Sequence, residues 1–121
     1  MTDDLSRRLA IDGAQSRRFR IALTLVSAEA GGRTTPLRSG YRADWALNGL
    51  DGNGSPRMLN GAPVVVDVEW LHPGDSASVV AHPVAPEYWG DVVVGQDVSM
   101  HEGRRMVGTG TVTDIVEPSR P

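Results

Sequence analysis

The sequence predicts an all-β fold, a small antiparallel β-barrel of about six strands that is closed or partly open. Apolar and polar residues alternate over several short segments, which is the period of a half-buried strand. Glycine- and proline-rich turns separate these segments, and no convincing helical pattern occurs in the body of the sequence. Closure into a barrel would remove the exposed edges that an open sheet of this size must protect. A length of 121 residues suits one such domain.

Each predicted strand is bounded by turn-forming residues. The predicted strands are residues 19–27, 42–47, 57–60 (short), 63–70, 77–84, 97–102 and 105–116. Residues 48–55 are dense in turn formers, and residues 72–75 spell His-Pro-Gly-Asp, which predicts a type II turn. Gly108 and Gly110 predict a bulge or sharp coil in the last strand, and residues 86–96 match no element. Trp45 and Trp70 have the size to fill the core.

Residues 1–18 form a leader ahead of the barrel domain of residues 19–121. The leader has aspartates at its front and arginine pairs at its back, which suit a helix dipole. Gly13 lies inside this pattern and weakens it. The leader is therefore expected to be a short helix or disordered.

Composition excludes several classes of chemistry. Cysteine is absent, so there are no disulfides or thiolate metal sites, and all 12 basic residues are arginine. Without lysine the protein has no Schiff-base residue and no lysine-dependent phosphate loop, so GTP binding is not expected. The net charge of −3 argues against non-specific nucleic-acid binding. The sequence lacks a long apolar run and a signal-peptide core, which predicts a cytoplasmic protein without membrane contact.

No catalytic or metal-binding constellation stands out in the sequence. His72, His82 and His101 lack the short spacing of a zinc site. Ser76 follows Gly74 and Asp75, but the nucleophile elbow of serine hydrolases is missing. We therefore expect no enzyme activity, no catalytic residue, no metal and no cofactor.

Two segments carry residues typical of binding surfaces. Tyr88 and Trp89 form an aromatic pair that would anchor an interface if exposed, or pack over a barrel end if buried. Residues 31–45 form a glycine-led loop and strand that act either as a recognition surface or as a brace between strands. Arg33 and Arg42 of this segment are expected at the surface, because a buried unpaired guanidinium is too costly.

Three motifs in order resemble one known family. They are Gly-Gly-Arg-Thr-Thr-Pro with Gly-Tyr-Arg at residues 31–42, the Pro-Gly-Asp turn at 73–75, and Glu-Gly-Arg-Arg-Met-Val-Gly-Thr-Gly-Thr-Val at 102–112. Together they resemble the third, C-terminal β-barrel domain of elongation factor Tu and related translational GTPases, from about residue 19 to residue 116. The resemblance implies that barrel fold, here without the family's GTP-binding domain.

The resemblance also implies contacts with the T-stem backbone of aminoacyl-tRNA and with partner proteins. Arg33, Arg42 and Gly103 match the family, whereas Thr34 and Asp44 stand where it has histidine and glutamine. His82 and His101 replace a lysine and an arginine. Fewer cations mean fewer phosphate contacts, so tRNA or other RNA binding is expected to be weak.

These observations predict a non-catalytic binding module that recognises a protein or RNA of the translation apparatus. A protein partner is preferred over RNA. The alternative is a mimic or decoy that occupies the partners of elongation factor Tu, for example in immunity against a toxin. The candidate binding residues are Arg33, Thr34, Arg42, His82, Tyr88, Trp89, His101 and Arg104.

Overall fold

The computed structural model describes residues 17–117 as a closed, six-stranded antiparallel β-barrel, which confirms the predicted fold class. The strands are β1 (Arg18–Leu25), β2 (Arg42–Ala46), β3 (Asn60–Val66), β4 (Ser76–Ala81), β5 (Asp97–Glu102) and β6 (Arg105–Val116). A single 3-10 turn, Pro86–Trp89, interrupts the loop between β4 and β5. The predicted leader lies outside the described residues, except that Arg17 is described and Arg18 already belongs to β1.

The order of strands around the barrel is β1-β4-β3-β2-β5-β6. Because every neighbouring pair is antiparallel, the loops divide between two ends of the barrel. The upper end carries residues 26–41, 67–75 and 103–104. The lower end carries residues 47–59 and 82–96, together with Arg17 and Glu117, which form an ion pair at 3.3 Å.

Alternate residues of each strand point inward and fill one core. The largest fully buried side chains include Trp45, Trp89 and Phe19. The indole Nε1 of Trp45 donates a hydrogen bond to the carbonyl oxygen of Ala62 at 3.1 Å, so its polar atom is satisfied inside the barrel. The prediction that Trp45 fills the core is confirmed. The same prediction for Trp70 is wrong, because its side chain is 44% exposed at the upper end.

The strand bounds follow the predicted segments closely in the second half of the chain. Both β5 and β6 have the predicted limits. Residues 57–60 do not form a separate strand; instead β3 begins at Asn60 and ends at Val66. The hydrophobic alternation continues to Val68, but that residue is exposed beyond the ladder. The ladder of β4 stops at Ala81, two residues before Pro83, which has no N–H to donate.

Gly108 and Gly110 let β6 approach β1 closely. A Cβ atom on Gly110 would lie 2.6 Å from Cγ2 of Ile21 and 2.9 Å from the carbonyl oxygen of Ala22, closer than real atoms approach. The predicted irregularity is also present beside Gly108. Met100 pairs with Gly108 and His101 with Met106, so one residue of β6 has no partner on β5.

The turn between β3 and β4 has the predicted geometry. Gly74 has φ of 90°, as the third position of a type II turn requires, and the N–H of Asp75 donates to the carbonyl oxygen of His72 at 3.0 Å. At the other end of the barrel, the 3-10 turn places the ring of Trp89 against Phe19 with ring centroids 5.0 Å apart. This contact closes the lower end of the core.

Replacing Trp45 with alanine should remove about 3–5 kcal/mol from the free energy of unfolding, because it leaves a large cavity in the core. The matched control is Trp70→Ala, which removes the same side chain from a half-exposed position. Chemical denaturation of both variants measures the difference. Equal losses in the two variants would contradict the different burial of the two indoles.

Candidate functional site

The long loop of residues 26–41 at the upper end is tied to the barrel by backbone hydrogen bonds. Leu37 and Leu71 exchange both of their N–H···O=C bonds, at 2.8 and 2.9 Å. The N–H of Gly40 donates to the carbonyl oxygen of Val64 at 2.8 Å, and that of Val26 donates to the carbonyl oxygen of Val107 in β6 at 2.9 Å. The loop is therefore anchored at its start, its middle and its end.

Side-chain hydrogen bonds hold this loop as well, and they converge on the carboxylate of Glu102, the last residue of β5. The Arg33 guanidinium and the Tyr41 hydroxyl both donate to its Oε2 atom. Arg105 donates to Oε1 at 3.1 Å. The Arg33 guanidinium also lies over the Tyr41 ring, 4.7 Å from its centroid, and donates to the carbonyl oxygen of Thr35 at 3.1 Å. We call Arg33, Tyr41, Glu102 and Arg105 the Glu102 cluster.

The protonation states in the Glu102 cluster follow from these contacts. Burial raises the pKa of Tyr41 to about 12, and the hydrogen bond to the Glu102 carboxylate acts in the same direction. Burial also opposes ionisation of Glu102, but the hydrogen bonds from Tyr41 and Arg33, with the charge of Arg33, hold its pKa below the usual range. At neutral pH the cluster thus contains a carboxylate, a neutral phenol and two guanidinium groups.

Arg33 lies near the surface, as expected, but it is paired and not free. Its side chain is only 15% exposed, and its donors are taken up by Glu102 and by the loop itself. Of the two alternatives that the sequence left open for this loop, the brace is the one that the Arg33 contacts support.

Other residues of the upper end do face solvent. Thr34 and Arg104, two of the candidate binding residues, are exposed. The candidate binding residues did not include Arg38 and Trp70, whose side chains are in contact at this end. The Arg38 guanidinium lies 5.2 Å from the centroid of the Trp70 ring. A shallow cleft of about 380 Å³ adjoins this pair, and Tyr41 lines it as well. The available signal was the position of Arg38 within the loop that carries the family resemblance.

The two histidines proposed as binding residues are not available to a partner. His82 and His101 are both buried. Burial lowers the pKa of His82, and the nearby charge of Arg18 lowers it further, so this imidazole is neutral at neutral pH. The Nε2 atom of His101 shares a hydrogen bond of 2.7 Å with the Ser99 hydroxyl. Their assignment to the binding surface is therefore corrected, since neither ring replaces the exposed cation that phosphate contact requires.

At the lower end, the aromatic pair is divided between surface and core. The Tyr88 side chain is 55% exposed, whereas Trp89 is 1% exposed and packs on Phe19. Of the two alternatives for this pair, Trp89 therefore packs over the barrel end and is not an exposed interface anchor. Both residues nevertheless line a cleft of about 200 Å³, which Arg42 lines from the side of β2. The fold thus brings three of the predicted binding residues together at this cleft.

Within the part of the protein that the structure describes, no three histidine or carboxylate groups gather closely enough to hold a metal ion. Over the same residues, no helix is long and apolar enough to cross a membrane. What the structure offers for recognition is the Arg38–Trp70 pair at the upper end and the Arg42–Tyr88–Trp89 cleft between β2, β3 and the segment after β4.

Replacing Arg33 with alanine should lower the free energy of unfolding by about 1–3 kcal/mol, because the partly buried Glu102 carboxylate loses a charge-assisted hydrogen bond and the loop loses the bonds from Arg33 to Thr35 and Pro36. Arg38→Ala is the matched control, since it removes an exposed arginine from the same loop. Thermal melting followed by circular dichroism measures both. A melting temperature for Arg33→Ala equal to that of the unchanged protein would show that the contact does not brace the loop.

The Glu102 cluster should also shape the pH dependence of stability. The lowered pKa of Glu102 stabilises the fold above the ordinary glutamate pKa of about 4.3, and this contribution is lost as pH falls through the lowered value. The raised pKa of Tyr41 stabilises the fold below about pH 10, and this contribution is lost as pH rises towards about 12.

The free energy of unfolding, measured by urea denaturation at a series of pH values, tests both the acid and the alkaline part of this dependence. Glu102→Gln should flatten the acid limb and Tyr41→Phe the alkaline limb. Unaltered pH profiles in these two variants would contradict the assigned couplings.

No known family model matches this sequence. The closed six-stranded antiparallel barrel is compatible with the fold of the C-terminal domain of elongation factor Tu, which the three sequence motifs resemble.

Proposed function

We propose that this protein is a non-catalytic binding module that resembles the C-terminal domain of elongation factor Tu and recognises a protein of the translation apparatus. The observation that carries the proposal is the exposed pair formed by Arg38, on the long loop of residues 26–41, and Trp70, on the neighbouring loop of residues 67–75. Arginine and tryptophan are enriched among the residues that dominate binding energy at protein interfaces.

The anchoring of the loop strengthens this proposal. Binding is weakened when a loop must be ordered at the moment of contact. Here the Leu37–Leu71 bridge and the Glu102 cluster order the loop before any partner arrives. The exposed pair can therefore bind a partner with little further loss of conformational entropy in the loop.

The same surface favours protein over RNA. Each phosphate contact depends on an available cation. His101 in β5 stands where the family has arginine, and His82 at the lower end stands where it has lysine, but both are buried. Arg33 and Arg105 are paired with Glu102. Arg38 and Arg104 remain exposed on this end, which is a small cationic set for a nucleic-acid site. RNA, including tRNA, is therefore the weaker candidate partner, and a partner in translation would place the module in the cytoplasm.

Affinity capture from native lysate, with bound proteins and RNAs both identified, tests the proposal. We expect a protein of the translation apparatus to be captured. The purified partner should bind the Trp70→Ala and Arg38→Gln variants at least about tenfold more weakly than the unchanged protein, which is the effect of removing an interface hot spot. Arg57→Gln, an exposed arginine at the lower end, is the matched control.

Three outcomes would contradict the proposal. Capture of RNA alone, with sub-micromolar binding to purified aminoacyl-tRNA near physiological salt, would show a nucleic-acid module instead. Capture of a toxin that targets elongation factor Tu would assign the decoy role. A captured partner that binds all three variants equally well would exclude the Arg38–Trp70 pair as the contact surface.

A further inference from the structure

The cleft beside the Arg38–Trp70 pair has a lining that indicates which chemical group of a partner it accepts. Its volume is about 380 Å³, and both residues of the pair line it. The Arg38 guanidinium lies over the Trp70 ring, 5.2 Å from the ring centroid. The Arg38 side chain is exposed, so a group that enters the cleft can reach its N–H donors.

The two arginines that line this cleft are paired differently. Arg33 donates to the Glu102 carboxylate and to its own loop. In the part of the protein that the structure describes, Arg38 makes no ion pair and donates no side-chain hydrogen bond. Glu69 is exposed on the neighbouring loop, yet it does not pair with Arg38. The described acidic residues therefore leave the Arg38 guanidinium to an external acceptor.

The contact with Trp70 restricts the orientation of the Arg38 guanidinium. A guanidinium over an aromatic face is attracted by the ring and keeps its N–H donors at its edge. These donors match the two oxygens of a planar carboxylate, and hydrogen bonds between the two groups are charge-assisted. Because the Leu37–Leu71 bridge holds the backbone next to Arg38, the fork of donors is ordered before a ligand arrives.

The backbone of the cleft favours a side-chain carboxylate over a free C-terminus. Sites that capture a C-terminal carboxylate use unpaired backbone N–H groups. The N–H groups of Leu37, Gly40 and Tyr41, which line this cleft, already donate to carbonyl oxygens of the protein itself. The guanidinium of Arg38 is thus the group that remains for an oxyanion, and it suits a carboxylate at the end of a side chain.

The other groups around Arg38 are largely uncharged. Pro36 and the rings of Tyr41 and Trp70 form apolar walls, and the Tyr41 hydroxyl is already bonded to Glu102. No acidic residue is among the described residues that line the cleft. Apolar walls lower the effective dielectric constant, so an ion pair formed here is stronger than one on an open surface.

We propose that the Arg38–Trp70 cleft binds the side-chain carboxylate of an acidic residue of the partner protein, with an apolar residue of the partner packed beside it on Trp70. The inference rests on the proposed function, in which this pair contacts a protein. Charge complementarity selects the occupant, because the cleft combines an unpaired cation with a lining free of acids among the described residues. The Trp70 ring, 44% exposed, supplies the apolar contact.

The Arg38 Nε–H and the Trp70 indole N–H offer direct readouts by ¹H–¹⁵N nuclear magnetic resonance. The probe is the peptide acetyl-Leu-Glu-Leu-amide, and its control is acetyl-Leu-Gln-Leu-amide, which has the same shape without the charge. Arg38→Gln and Trp70→Phe identify the two resonances. We expect the glutamate peptide to move the Arg38 proton downfield. The glutamine peptide should bind about tenfold more weakly, the loss of roughly one charge-assisted hydrogen bond.

Variants separate a fitted site from general attraction between charges. Arg38→Gln should weaken binding of the glutamate peptide about tenfold. Arg38→Lys should recover part of this loss, because lysine keeps the charge without the planar fork. Arg104→Gln removes an exposed arginine at the same end and should leave binding unchanged. Equal binding of the two peptides, or equal losses in Arg38→Gln and Arg104→Gln, would overturn the proposal.

The same measurements distinguish this proposal from the proposed function. Failure of lysate capture, with the glutamate peptide still bound at Arg38, would refute the proposed function alone. Capture of a translation protein that needs Arg38, without any response to the glutamate peptide, would refute the carboxylate site alone.

Discussion

The close contact between β1 and β6 is the constraint on which the barrel depends. These strands pair along eight residues of β1 and convert a six-stranded sheet into a closed surface. A Cβ atom at Gly110 would collide with Ile21 and with the carbonyl oxygen of Ala22, and one at Gly108 would make a tight contact with Leu23. Closure leaves no strand edge open in the described barrel, so a partner cannot add a strand to it there. The candidate surfaces are instead formed by side chains of the loops and of the outer faces of β2 and β3.

Sequence patterning predicted those features that depend on neighbours along the chain. Alternation predicted the limits of β5 and β6, and Pro73 with Gly74 predicted the turn before β4. Trp70 shows where this reasoning ends. Alternation separates inner from outer faces only while a strand stays in its ladder, and β3 leaves its ladder at Val66. Beyond that residue, the hydrophobicity of Trp70 no longer indicates burial.

The candidate sites depend on contacts between distant residues, which a single sequence does not reveal. Arg33 could have been a free recognition group or a brace, and its partner Glu102 lies 69 positions away. Arg42 and Tyr88 line the same cleft, and the Val84–Gly61 hydrogen bond holds the segment after β4 along β3 beside it. Residue types were thus sufficient to nominate candidates, but the barrel topology determined which of them share a surface.

The position of β1 has a consequence for how the protein reaches its native state. Its two neighbours are β4 and β6, so residues 18–25 pair only with residues 76–81 and 108–116. Such long-range pairing slows folding, because large loops must close before these contacts form. During synthesis the first strand emerges well before either partner, with Phe19, Ile21, Leu23 and Leu25 uncovered. The interval before β6 is complete is therefore when the nascent polypeptide is most open to aggregation or to capture by a chaperone.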